Sequence, residues 1–308
     1  MGENYVIRAT AMQGQIRAFA CTTRDVAEEQ RRVHNTSPII TAAVGRCMSA
    51  AVMMAVDMKG DKDLLTLSIR GDGPIRGITV TADTHGHVKG YCQNPNVILP
   101  ANEAHHLNVG GAVGSGLLSV IRDSGLKEPY VGQTELRTGE IAEDLTYYFA
   151  ASEQVPSSVG LGVLMTKENT VDQSGGFLIQ LLPGAEEEVI SRLEAQLSAI
   201  HSVTDMLKAG MRPEEMLRHI LGDMELELKD RTEVSYHCDC SRERVEQVLL
   251  SISRKDLLEL ANEGKSQEVS CDFCGKRYLF SSEELKMLLN RSHLTSIKSV
   301  GGMKETNF

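Results

Sequence analysis

Tryptophan is absent from this chain, and seven tyrosines and six phenylalanines supply all the aromatic residues, 4% of 308 positions. Any core must be built from aliphatic and sulfur side chains, and a hydrophobic fraction of 41% is ample for that. Basic residues are also in deficit: 32 Lys and Arg stand against 42 Asp and Glu, giving a net charge of −10. That balance argues against a nucleic-acid binder, which needs clustered cations to meet phosphates. The segment Met1 to Phe19 has no signal-peptide run, and position six is not Ser or Thr, so neither export nor myristoylation is expected. A cytoplasmic location follows as an expectation. The longest apolar stretch, Ile39 to Met58, carries Arg46 near its middle and reads as a buried central helix rather than a membrane span.

Catalytic machinery is equally missing. No Ser–His–Asp set and no paired carboxylates can be nominated, so the chain is not read as an enzyme. The run Gly110-Gly-Ala-Val-Gly-Ser-Gly116 lacks the Lys-Ser/Thr ending of a phosphate loop and reads as a glycine-rich turn. His85, His87, His105 and His106 have no carboxylate or cysteine at ligand spacing and read as surface turn residues. Cys21, Cys47 and Cys92 lie in apolar segments and read as small buried hydrophobes.

The pattern that is present predicts an α+β fold. Strands are expected at Tyr5 to Thr10, Ile16 to Cys21, Leu64 to Arg70, Ile75 to Ala82, Val88 to Gln93, Leu117 to Arg122, Val131 to Glu135, Val159 to Met165 and Gly176 to Leu182. Helices are expected at Asp25 to His34, from Ser37-Pro38 onward, and at Ile141 to Glu153. These make a core domain of one sheet system over residues 1–182. A helical connector follows, with helices at Ala185 to Ile200, Val203 to Ala209 and Pro213 to Leu221, studded by Met206, Met211, Met216 and Met224. The charged run Asp223 to Val234 reads as a weakly held linker. The remainder, 235–308, is a small C-terminal domain with helices at Ser241 to Ser253, Arg254 to Glu263 and from Ser281 or Ser282 to Leu289, ending in a disordered tail after Ser292.

Four cysteines in that last domain form two close pairs, Cys238-Asp-Cys240 and Cys271-Asp-Phe-Cys274. Two neighbouring thiolates from each pair are what a tetrahedral zinc site of four cysteines requires. Gly275 permits a turn that aims backbone N–H groups at the sulfurs, and Phe273, Tyr278 and Phe280 can pack around it. The single spacer at Asp239 is unusual. A ring closed between Cys238 and Cys240 would be strained and readily reduced, which suits a reversible sensor, whereas four-cysteine sites in general are structural. Spacing leaves both open.

The chain resembles the heat-shock protein 33 family, the redox-regulated holdase chaperones also called 33 kDa chaperonin. The resemblance rests on Cys-X-Cys, a gap of thirty residues and Cys-X-X-Cys-Gly, with Arg8-Ala-Thr10, Arg31 to Pro38, the Gly71-Asp-Gly-Pro-Ile75 turn and the run Gly175 to Gly184. It implies one Zn2+ per reduced chain held by Cys238, Cys240, Cys271 and Cys274. It also implies oxidation to Cys238–Cys240 and Cys271–Cys274 disulfides, zinc release and unfolding of the small domain and connector. Apolar faces around Val189, Leu193 and Leu197 would then reach unfolding client proteins without ATP. A homodimer when active, and client transfer to ATP-dependent foldases, belong to the same picture. The rivals are a structural zinc-ribbon interaction module and a thiol–disulfide oxidoreductase using Cys271 and Cys274.

Overall fold

Ser37-Pro38 starts a helix whose side chains are apolar on every face, and such a helix is stable only where every face is covered. The computed structural model, which describes residues 3–200 and 202–290, places it between two sheets. The chain opens with β1 (Tyr5–Ala11) and β2 (Ile16–Thr22), then α1 (Arg24–His34) and this central helix, α2 (Pro38–Ala55). A meander follows as β3 (Leu64–Gly71), β4 (Gly77–Asp83) and β5 (His87–Cys92). After the short α3 (Val109–Val113) come β6 (Gly116–Asp123) and β7 (Tyr130–Glu135). Helix α4 (Ala142–Tyr148) runs into a π-helical turn, Phe149–Glu153, before β8 (Ser157–Met165) and β9 (Val171–Leu181). Then α5 (Glu187–Ser198), α6 (Val203–Lys208) and α7 (Pro213–Leu221) lead to β10 (Glu227–Glu233) and the two-residue β11 (Ser235–Tyr236).

The single sheet system expected from the sequence is in fact two sheets. One is five-stranded and antiparallel, in the order β10-β1-β2-β9-β8; the other is six-stranded, β11-β5-β4-β3-β6-β7, with only β11 parallel to its neighbour. Helix α2 packs on strands of both, and its residues Ile39 to Gly45 and Cys47 to Ala55 are buried. Arg46, the one charged residue of that helix, reaches Glu140 Oε2 at 2.6 Å and the Glu140 carbonyl at 3.2 Å. Helix α2 is long and apolar enough to cross a membrane, but here it is interior.

The opposite face of the five-stranded sheet presents Tyr5, Ile7, Ala18, Ala20, Phe177 and Ile179 to helices α5 to α7. Val189 and Leu193 of α5 are buried there, Leu197 partly. Met206, Met216 and Met224 fill the same layer, as adaptable side chains do against an irregular helical surface. The charged run after Asp223 departs from expectation. Instead of a loose linker it forms β10, the edge of the five-stranded sheet, with Leu228 packed on this core. Its five charged residues are all exposed, and such charge protects an exposed edge from unwanted pairing.

The chain divides into two compact units between His237 and Cys238. The second contains α8 (Arg242–Ser251), α9 (Arg254–Asn262), the hairpin β12 (Gln267–Ser270) and β13 (Arg277–Phe280), and a final helix α10 over 282–290. Ser241 and Ser253 cap α8 and α9, accepting from the Arg244 and Asp256 amides. Ser281 and Glu284 form a reciprocal capping box at α10, with bonds of 3.2 and 2.8 Å. The hairpin was not anticipated, because its strands are four residues each and too short to show periodicity. The tail after Ser292 lies outside the described residues.

Candidate metal centre

Two backbone devices bring the four thiols together. The hairpin loop between β12 and β13 is closed by Cys271 N–H to the Lys276 carbonyl at 2.9 Å and Gly275 N–H to the Cys271 carbonyl at 2.8 Å. Gly275 stands at φ +68°, a left-handed conformation that glycine adopts without strain. This turn presents Cys271 and Cys274 side by side. Extended chain leading into α8 carries Cys238 and Cys240, with the Asp239 carboxylate paired to Arg244 one turn into the helix.

The four Sγ atoms lie within 4.8 Å of one another, and no disulfide joins them. Cys240 and Cys274 Sγ stand 3.3 Å apart, and Cys238 and Cys271 Sγ 3.7 Å. Metal–sulfur bonds of about 2.3 Å in a tetrahedron place sulfurs a little under 4 Å apart, so the set fits zinc in size as well as in donor type. Tyr278 donates its hydroxyl to Cys240 Sγ at 3.2 Å. Backbone amides of Cys240 and Lys276 bond the Cys238 and Cys274 sulfurs, the arrangement that supports thiolates in such sites.

Protonation points the same way. Burial pushes the Cys238 and Cys274 thiols above their ordinary value. At Cys240 burial also pushes upward, but hydrogen bonds from Tyr278 and the neighbouring thiols outweigh it and hold that group low. Ionising the whole set requires a cation at its centre.

The other sequence candidates separate cleanly from this cluster. Cys21 and Cys47 are buried in the first unit, where desolvation pushes Cys21 up to about 12 and Cys47 higher still. Cys92 is half-buried and raised to about 11 for the same reason. Because Cys21 and Cys47 are fully buried in the first unit while the clustered four are only partly buried, Cys21 and Cys47 should escape iodoacetamide in the native, metal-stripped protein while the clustered four are labelled. Peptide mass spectrometry reads this directly; labelling of Cys21 before Cys271 would refute it. Among the described residues no histidine joins a ligand cluster. His85 and His87 pair with Asp61 and Asp83. The glycine run holds α3, and its Gly114 packs against the Gly71–Gly73 turn, where Asp72 Oδ1 accepts from Ser115 N–H. Sequence reasoning missed Tyr278 as a sulfur partner, although a tyrosine four residues beyond the second pair was visible.

Comparison with known proteins adds the identity. A sequence profile of the family described as Hsp33 protein matches residues 4–281, which include all four clustered cysteines. The chain belongs to the Hsp33 family. Among curated relatives, the 33 kDa chaperonin of Agathobacter rectalis is 56% identical over 283 residues, covering 92% of this chain and 98% of the relative. That of Lachnoclostridium phytofermentans is also 56% identical, covering 94% and 99%. A crystal structure of a 33 kDa chaperonin, the heat shock protein 33 homolog of Thermotoga maritima, matches with a TM-score of 0.86 at 36% identity, over 95% of this chain and 99% of that one. An Hsp33 chaperone with four cysteines able to hold a metal ion is therefore in hand.

Proposed function

We propose that this member is a redox-regulated, ATP-independent holdase in which zinc, bound by Cys238, Cys240, Cys271 and Cys274, keeps the protein inactive. The observation that carries the reading is the gathering of four unbonded thiols in a unit whose own core is small. When bound, zinc would keep all four sulfurs as thiolates and tie the hairpin loop to the chain preceding α8. A peroxide converts one thiolate to a sulfenic acid with loss of hydroxide, and a second thiol displaces water from it to form a disulfide. Two such events consume two peroxides and all four thiols. Pairing within each motif, Cys238–Cys240 and Cys271–Cys274, is the family's pattern.

Loss of the four-fold tie removes most of what folds the second unit. The working parts in this proposal are the core over 1–182, the connector over 183–234 and the switch domain over 235–308. The apolar face of α5 to α7, buried on the sheet here, is the surface such loosening would release to unfolding clients. Dimerisation on activation, hand-over to ATP-dependent foldases and action in the cytoplasm complete the reading. An oxidoreductase role is less well supported: Cys271 and Cys274 sit on a hairpin loop rather than at a helix N-terminus, where a reactive CxxC thiolate is favoured.

The deciding assay follows aggregation of a thermally unfolding test protein with zinc release recorded in parallel. Suppression should appear only as peroxide releases zinc, and vanish when reductant and zinc are restored. Zinc that survives oxidation, or leaves without any suppression, would overturn the proposal.

A further inference from the structure

The seat of β10 suggests how a client is held. Strand β1 is buried along most of its length, with Tyr5, Ile7 and Ala9 facing the helical layer and Val6 the other core. One edge of it pairs with β2 over seven residues. The other pairs with β10 in the register Tyr5↔Glu233, Val6↔Thr232, Ile7↔Arg231 and Ala9↔Leu228, with a bulge between Ile7 and Ala9. Opposite the apolar row of Tyr5, Ile7 and Ala9, β10 therefore supplies Glu233, Arg231 and Leu228, of which only the leucine is apolar. Arg231 covers the Tyr5 ring from 3.9 Å, Leu228 packs on the helical-layer core, and Arg231–Glu3 and Arg8–Asp230 are surface ion pairs. Such pairs contribute little. Apart from Leu228, the strand is held mainly by its main-chain ladder, which any extended polypeptide can reproduce.

Position strengthens the case. Only Val234 to His237 separate β10 from Cys238 along the chain, so the strand is the last long element before the cysteine cluster. We infer that β10 is a built-in occupant of the β1 edge, and that an extended apolar segment of an unfolding protein takes its place by strand addition. This rests on the holdase reading and gives it a mode of recognition. A client strand with apolar residues at alternate positions extends the row of Tyr5, Ile7 and Ala9, where β10 offers charge, while its backbone takes over the ladder. Recognition through main-chain bonds and a period of two explains tolerance of unrelated clients. The charges of β10 keep the resting edge from recruiting other strands.

Hydrogen exchange tests this directly. Val234 N–H donates to the Asn4 carbonyl at 2.8 Å, so by strand alternation Val6 and Thr232 face one another across the β1–β10 ladder. In the reduced, zinc-loaded full chain the Val6 amide should be protected. On oxidation its exchange should quicken by about tenfold or more, and a short synthetic peptide of alternating valine and threonine should slow it again. Two variants separate strand release from the redox event. Thr232→Pro removes the N–H facing Val6, and Gly86→Ala places a Cβ 2.0 Å from the Glu233 carbonyl oxygen, forcing that end of β10 to move. Both leave the cysteines intact, and both should bind the peptide and suppress aggregation while reduced and zinc-loaded. A variant whose Val6 amide is shown to be open, yet which ignores the peptide, would sink the inference. So would oxidised protein that binds clients with Val6 still protected, or whose Val6 is re-protected by a second copy of the chain in the absence of peptide. In those cases redox-switched holdase activity would stand and strand addition would fall. Absence of any oxidation-induced activity in the wild type would instead strike the holdase reading itself.

Discussion

Cys271→Ser is expected to abolish tight zinc binding and to unfold residues 238–290 while the first unit stays folded. Structural zinc in small domains contributes roughly 10–16 kcal/mol at neutral pH, and an even share per ligand is about 3 kcal/mol, roughly two orders of magnitude in affinity. Serine does not ionise at neutral pH, so the whole share is lost. The unit has little to set against that. Among the described residues its core is nine buried side chains, from Val245 and Leu249 through Tyr278 and Phe280 to Leu289. Arg242 adds a link from α8 to the hairpin, stacking on Phe280 at 4.3 Å and bonding the Leu279 carbonyl, but at a partly exposed site. A domain this small is marginal without a staple. Competition with a chromophoric chelator measures the affinity, and amide spectra of the two units report which one melts. Retention of full affinity would show that Cys271 is not a ligand. Under the proposed mechanism the same variant should also suppress aggregation without oxidant, because the switch is already thrown.

The gathering of four cysteines was legible in the sequence because its geometry is local. Two pairs of cysteines at ligand spacing bring their own turns with them, and Gly275 reports the conformation that the second turn needs. Strand and helix positions in the first unit were legible for a similar reason, since apolar periodicity and Ser37-Pro38 act over a few residues. What could not be read was set by partners distant in sequence. The all-round apolarity of α2 said that it was buried, but not that two sheets rather than one would bury it. The charges of Glu227 to Glu233 said solvent exposure, which an edge strand satisfies as well as a linker does. Only the pairing of β10 with β1, more than two hundred residues away, separates those cases. Tyr278 likewise has nothing local to mark it as a sulfur partner, because Cys240 meets it only once the hairpin packs on α8.

A second large effect is expected at Asp144, a carboxylate that is fully buried and bonded to four backbone amides. Its Oδ1 accepts from the Arg137, Thr138 and Gly139 amides at 2.6, 3.0 and 3.3 Å, and its Oδ2 from Ile141 at 2.9 Å. Four converging N–H dipoles do the work of a counter-ion. They also hold Ile141 at φ +74°, where a β-branched residue is strained by about 1–3 kcal/mol. The loop so pinned presents Glu140 to Arg46 of α2 and to the Gly110 amide, which joins α4 to the central helix. Asp144→Ala strips the acceptor from four amides at once. Orphaned buried donors cost about 1–3 kcal/mol each before relaxation, so a net loss near 4 kcal/mol is expected. Asp144→Asn keeps one acceptor but turns an NH2 toward a donor, and should cost roughly half as much. Urea unfolding of the zinc-loaded protein measures both; a loss below about 1 kcal/mol for the alanine variant would show that the amides find other partners. The consequence reaches function, because the proposed switch needs a first unit that outlasts the second. With Asp144→Ala that margin narrows, and oxidation should drive the protein into its own aggregates instead of into a state that protects others.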